Sequence, residues 1–152
     1  LVRKIVFDAA GLKITDHVPE LGRTVADELL APTRLYVKPV RRVLADHPGV
    51  VRGLANVTGG GLPDNVGRIL PPGCRVRVRA GSWPVPPVFG WLQRLGNVAD
   101  AEMRRVFNGG VGFVVVAAPA AAAEVAAAFE GQGVPAWVVG EVVPGAPGVD
   151  VI

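Results

Sequence analysis

Cysteine is almost missing from this chain: Cys74 stands alone. No internal disulfide can form, and the expectation is a reducing compartment, read as the cytoplasm. Histidine occurs only at His17 and His47, without metal-ligand neighbours at the spacing a metal needs, so no metal site is expected. No apolar run is long enough to cross a bilayer, and no basic-then-apolar leader opens the chain, so neither membrane nor secretion is expected. Charge is sparse, at 19% of residues, and the net +3 is mostly arginine spread along the chain. A nucleic-acid binder would concentrate that charge beside aromatics, so no nucleic-acid partner is expected, although small anions are mildly favoured. The chain also lacks a Gly-Lys-Ser/Thr phosphate loop, a Gly-x-Ser-x-Gly elbow, a kinase signature and an activating partner for Cys74. No residue set looks able to run catalysis alone.

What remains is a chain of 152 residues, half of them hydrophobic, long enough to bury one core. Leu1, Val2, Ile5, Val6 and Ala9 recur with helical spacing. With no initiator Met and no capping residue ahead of this helix, the expectation is that the chain is part of a longer protein. Short helices are expected over Ala26 to Leu30 and from Val37 to Leu44, with Pro39 tolerable in the first turn and Pro48-Gly49 ending the second. Val50 to Val57 reads as a strand, and Leu62, Val66, Ile69 and Leu70 as one face of a helix. Cys74, Val76 and Val78 alternate with Arg75, Arg77 and Arg79, which reads as a half-buried strand with a solvated edge. Beyond the rigid Trp83 to Pro87 connector, a helical stripe runs through Leu92, and Asp100 is placed to cap the next helix. Val111 to Ala117 reads as a strand, Ala120 to Glu130 as a helix and Val134 to Val143 as the last strand. Alternating strands and helices without repeats make one α/β domain.

Two glycine-rich segments are the candidates for chemistry. At Asn56 to Leu70 a strand passes through Thr58-Gly59-Gly60-Gly61 into a helix. Glycines let backbone amides converge, and a helix start carries partial positive charge, so the junction suits a phosphate. Thr58 adds a hydroxyl, and Asn56 and Asn65 add carboxamides. The same glycines equally permit close strand–helix packing with no ligand. Phe107-Asn108-Gly109-Gly110-Val111-Gly112 leads into the next strand; it reads first as a turn with a bulge, with Asn108 placed to meet a ligand against bare backbone. His47 is best read as a cation at a helix C-terminus, and Trp83, Trp91 and Trp137 as packing residues.

Taken together, four segments resemble one family in order: LLAPTRLYVK from Leu29, GLANVTGGGLPDN from Gly53, GSWPVPPVFGWL from Gly81 and MRRVFNGGVG from Met103. They are similar to signatures of aminoimidazole ribonucleotide synthetases (phosphoribosylformylglycinamidine cyclo-ligases), and the likeness covers residues 1–152. The resemblance implies a layered α/β/α fold (α+β), with a mixed sheet of about four strands and partial ferredoxin-like topology. It implies that residues 1–152 are the C-terminal, substrate-side domain, whose own N-terminal domain supplies most ligands for ATP and Mg²⁺ and forms a homodimer. It implies ATP-dependent ring closure of formylglycinamidine ribonucleotide to aminoimidazole ribonucleotide in purine synthesis. By that likeness Thr58, Gly59, Gly60, Gly61 and Asn65 hold the substrate's ribose phosphate, and Asn108 lines the same cleft. This part alone is expected to bind nothing beyond phosphate or sulfate and to be inactive.

The chain departs from the family pattern at four places. Asn56 stands where the family has His, which removes a titratable group. Gly109 and Phe113 replace methionines, and Arg79 replaces an acid. Two other readings stay open: a non-catalytic phosphate-binding or regulatory module, and a sister enzyme such as formylglycinamidine ribonucleotide synthetase. Gly60→Ala is expected to weaken phosphate binding with the fold intact.

Overall fold

A computed structural model describes residues 1–152. The opening segment is a wide π-helical turn, Lys4–Ala9, that buries Ile5 and Val6. A two-residue hairpin follows, β1 (His17–Val18) with β2 (Arg23–Thr24), leading into α1 (Val25–Leu29). Thr24 caps α1 in a reciprocal box with Asp27, whose carboxyl is held below its usual range by the Thr24 hydroxyl and amide. The remaining elements are α2 (Val37–Asp46), β3 (Val51–Asn56), α3 (Gly61–Gly67), β4 (Cys74–Val78), α4 (Pro87–Gly96), α5 (Asp100–Val106), β5 (Phe113–Ala117), α6 (Ala122–Glu130), β6 (Gly140–Pro144) and β7 (Val149–Val151). No helix is long and apolar enough to cross a membrane.

The fold is the expected α+β class. Besides the β1–β2 hairpin, its strands divide between two ladders: β3 pairs with β5 antiparallel, while β4 lies between antiparallel β6 and parallel β7. Two sequence features account for how the strands fall. Pro135 has no N–H for a ladder, and the strand expected from Val134 begins only at Gly140, as β6. The turn through Gly145 to Gly148 leaves three residues, enough for β7, which pattern reading had not marked.

The β3–β5 ladder is covered on both faces. Ala55 and Val57 turn toward Leu62 and Val66 of α3 and toward Val76, Val78, Trp83 and Val111. On the opposite side Leu54 and Val115 pack under Val40, Val43, Val125 and Phe129 of α2 and α6. A third cluster ties Ile5, Val6, Val18 and Val25 to Trp91 and Leu92 of α4. Between β5, α6 and the 134–142 segment lies an apolar groove of about 960 Å³. Trp83 and Trp91 are core residues as expected, whereas Trp137 is 42% exposed at this groove.

Two sequence expectations are corrected. The Arg75/Arg77/Arg79 strand is central and not an edge; Arg75 grips Asp150 of β7 through both guanidinium arms, and Arg79 donates to the Val138 carbonyl. The alternation correctly put these arginines on the wetter face, but alternation carries no information about how many neighbours a strand has. Asp100 does not cap α5: Ala99 holds the cap position, and Asp100 accepts from Gln93 Nε2. His47 does end α2, with Nδ1 3.1 Å from a Glu124 carboxylate oxygen.

Candidate functional site

The antiparallel pairing of β3 and β5 explains why two glycine segments some fifty residues apart meet. Asn56, the last residue of β3, stands opposite Phe113, the first of β5. The Val57 amide then donates to Gly112 O at 2.9 Å, extending the pair by one rung. Thr58 to Gly61 therefore leaves the ladder beside the point where Asn108 to Gly112 enters it. The cleft between them has a volume of about 440 Å³ and is lined by Asn56, Thr58, Gly59 and Asn108 from the predicted set.

Within the turn the glycines have distinct roles. Gly59 faces open space, with nothing within 4 Å of where a Cβ would stand. The backbone amides of Thr58, Gly59 and Gly60 donate to no carbonyl, leaving three donors near the cleft. Gly60 has φ +97° and a Cβ there would come 2.7 Å from the Asp64 side chain, so Gly60→Ala is not neutral for the fold, contrary to the sequence expectation. Gly61 has φ +59°, and its Cβ would strike the carbonyl oxygens of Arg104 at 2.1 Å and Phe107 at 2.8 Å. It lies directly against the backbone at the end of α5 and is a packing glycine. Asn65 is buried: its amide nitrogen donates to Gly61 O at 2.8 Å, Gly59 O at 3.2 Å and Thr58 O at 3.4 Å. Thr58 Oγ1 donates weakly to Asn65 Oδ1 at 3.5 Å. Asn65 thus shapes the turn from behind and does not line the cleft.

The second loop is built by its own residues and by a buttress. Asn108 Oδ1 accepts from the Gly110 amide at 3.0 Å, closing a tight turn that leaves its Nδ2 uncommitted. Trp83 Nε1 donates to Gly109 O at 2.9 Å, and Pro86 lies where a Gly110 side chain would go. A side chain at Gly109 would meet only Trp83, at 4.0 Å. Space alone does not decide the position, because Gly109 sits at φ +58°, a left-handed conformation that strains any side chain.

The fourth segment closes the cleft on its third side. Tyr36 sits over Gly112 so tightly that a Cβ there would fall 2.2 Å from its hydroxyl. Its ring also packs on Phe113 at 5.3 Å. Thr33, Arg34 and Tyr36 line the cleft, three residues that the glycine motifs do not point to. The signal for them is an arginine in a short loop after Pro32 between two helices. No three His, Cys, Asp or Glu side chains converge anywhere in the chain.

Three motifs distant in sequence therefore line one cleft, and the remaining one, with Trp83 and Pro86, buttresses it from behind. A family model described as "AIR synthase related protein, C-terminal domain" matches residues 1–152. The chain belongs to this family. It is 48% identical over 144 residues to a phosphoribosylformylglycinamidine cyclo-ligase of Xanthomonas oryzae pv. oryzae (strain PXO99A), covering 95% of this chain and 42% of that protein. A cyclo-ligase of Geotalea uraniireducens (strain Rf4) is 46% identical over 142 residues, with 93% and 40% covered. The chain spans about two fifths of the length of these curated relatives. Among solved structures, the E. coli hydrogenase maturation protein HypE superposes with a TM-score of 0.61 at 27% identity, over 84% of this chain and 39% of HypE. The relationship to cyclo-ligases and the shared fold extend across nearly all of the AIR synthase-related domain described above.

Proposed function

We propose that this chain is the substrate-side domain of an ATP-dependent cyclo-ligase that closes the imidazole ring of aminoimidazole ribonucleotide. The whole enzyme would act in the cytoplasm on formylglycinamidine ribonucleotide, paired with its own N-terminal domain and as a homodimer. The observation that carries the reading is that three of the family motifs line one cleft rich in hydrogen-bond donors, while the fourth buttresses it through Trp83 and Pro86. In this reading the free amides of Thr58 to Gly60 and the Thr58 hydroxyl hold the ribose phosphate, with Asn108 Nδ2 alongside. Asn65 supports the geometry from within, and Gly61 lets the turn lie against α5.

The residues of this chain do not fit Mg²⁺–ATP, because carboxylates and imidazoles nowhere gather to hold a cation. In the proposed enzyme those ligands belong to the N-terminal domain, and ATP's role is to make the formyl oxygen a leaving group. What this domain contributes is binding and orientation. Asn56, exposed at the end of β3, offers a carboxamide in place of a titratable imidazole and so orients without transferring protons at neutral pH. The domain by itself is proposed to be inactive.

Thr58→Val in the complete polypeptide tests the cradle, since it removes the hydroxyl and preserves shape. The expected result is a KM for the ribonucleotide raised about tenfold, with kcat changed less than threefold. An unchanged KM would remove Thr58 from the phosphate site.

A further inference from the structure

We propose that Arg34 is the cationic anchor of the cleft, binding a phosphate-class oxyanion opposite the Thr58 to Gly60 amides; this rests on the cyclo-ligase reading of the site. Of the twelve residues that line the cleft, Arg34 is the one that carries a charge. No carboxylate shares that wall, so an anion entering meets a single positive group and no repulsion. Like several other arginines Arg34 makes no ion pair, but it is the unpaired one that lines this cleft. Its guanidinium is therefore unspent in the ligand-free protein.

The loop that carries Arg34 is stiffened ahead of it by proline and anchored after it by Tyr36. Pro32 fixes the backbone two residues before it. Tyr36, two residues after it, is locked over Gly112 and against Phe113, and its carbonyl starts α2 by accepting from Val40 at 3.0 Å. A guanidinium on such a short tether pays less ordering entropy on binding than one on a free loop. Its planar fork suits two oxygens of a phosphate, while the amides across the cleft meet the others. Tyr36 is accordingly a positioning residue.

The oxyanion has two possible sources with the same chemistry: the ribonucleotide's phosphate monoester, or the phosphoryl group that ATP transfers. The test is steady-state kinetics of the complete polypeptide as wild type, Arg34→Gln and Arg34→Lys. Arg34 is exposed, so both variants should fold, and circular dichroism checks that they do. Arg34→Gln is expected to raise KM for the ribonucleotide about 10- to 100-fold with kcat within threefold, and Arg34→Lys to recover part of the loss. A rise in KM for ATP alone would keep the anchor and assign it to the transferred phosphoryl. No change in either KM would overturn the proposal. If the wild-type polypeptide closed no ring, the cyclo-ligase reading would fall separately. The anchor would then be judged by calorimetric titration of inorganic phosphate: heat lost in Arg34→Gln supports it, and equal heats overturn it.

Discussion

Gly61→Ala separates what the glycine turn does for the fold from what it does for a ligand. Gly61 sits at φ +59°, where an L residue costs about 1–2 kcal/mol. The added methyl would also lie 2.1 Å from Arg104 O and 2.8 Å from Phe107 O. Carbon–oxygen contacts normally begin near about 3.3 Å, so α5 or the turn must move by on the order of 1 Å. Both obstacles are backbone, and neither can be relieved by a rotamer change. The two costs together come to about 3 kcal/mol. For a domain of this size that is a fall in Tm of roughly 6–12 °C. Gly59→Ala is the internal control, because its Cβ enters open space and its φ is not positive. It should stay within about 0.5 kcal/mol of wild type while narrowing the cleft. Thermal melts followed by circular dichroism, with urea titration for the free energies, read both. A Gly61→Ala melt within about 2 °C of wild type would refute the packing assigned to Gly61.

Other perturbations probe the supporting shell. Asn65→Asp turns a donor serving three carbonyls into an acceptor, costing at least about 3 kcal/mol by urea titration. That buried carboxyl would have a raised pKa in the fold, so the deficit should shrink as pH falls from about 8 to about 5; a pH-independent deficit would contradict the hydrogen-bond assignment. Trp83→Phe removes the donor to Gly109 O and should cost about 1–2 kcal/mol while speeding amide exchange across residues 108–112. Exchange unchanged in that loop would mean Trp83 does not tether it. Asp150 is held below the usual carboxylate range by the Arg75 hydrogen bonds and then by the Arg75 and Arg77 charges. A depressed folded-state value means its stabilisation is present above about pH 4 and lost as pH falls below it. Asp150→Asn should flatten that acid limb slightly at low salt, and less in high salt because both partners are part-exposed. An unchanged acid limb would show that the pair contributes nothing.

Most of the fold was legible because its signals are local. Hydrophobic periodicity placed α2, α3, α6, β3, β4 and β5 to within a few residues, and glycine and proline marked their ends. Pairing was not legible: nothing in the Arg75 alternation says that β4 has a neighbour on each side. β7 escaped because three residues show no period. The site divided the same way. Asn56, Thr58, Gly59 and Asn108 line the cleft as read from the glycine motifs. Asn65 belongs to the same turn, but helical position alone does not say that its amide folds back onto Gly61 O. Thr33, Arg34 and Tyr36 were invisible as site residues because their place depends on Tyr36 seating over Gly112, a contact between segments far apart in sequence.

The central claim is that this domain serves ATP-dependent ring closure on a phosphorylated ribonucleotide. The measurement that meets it most directly is the rate at which the complete purified polypeptide forms aminoimidazole ribonucleotide from formylglycinamidine ribonucleotide and ATP. ATP-dependent product formation is expected, with residues 1–152 alone giving none. No product from the complete polypeptide with both substrates saturating would contradict it.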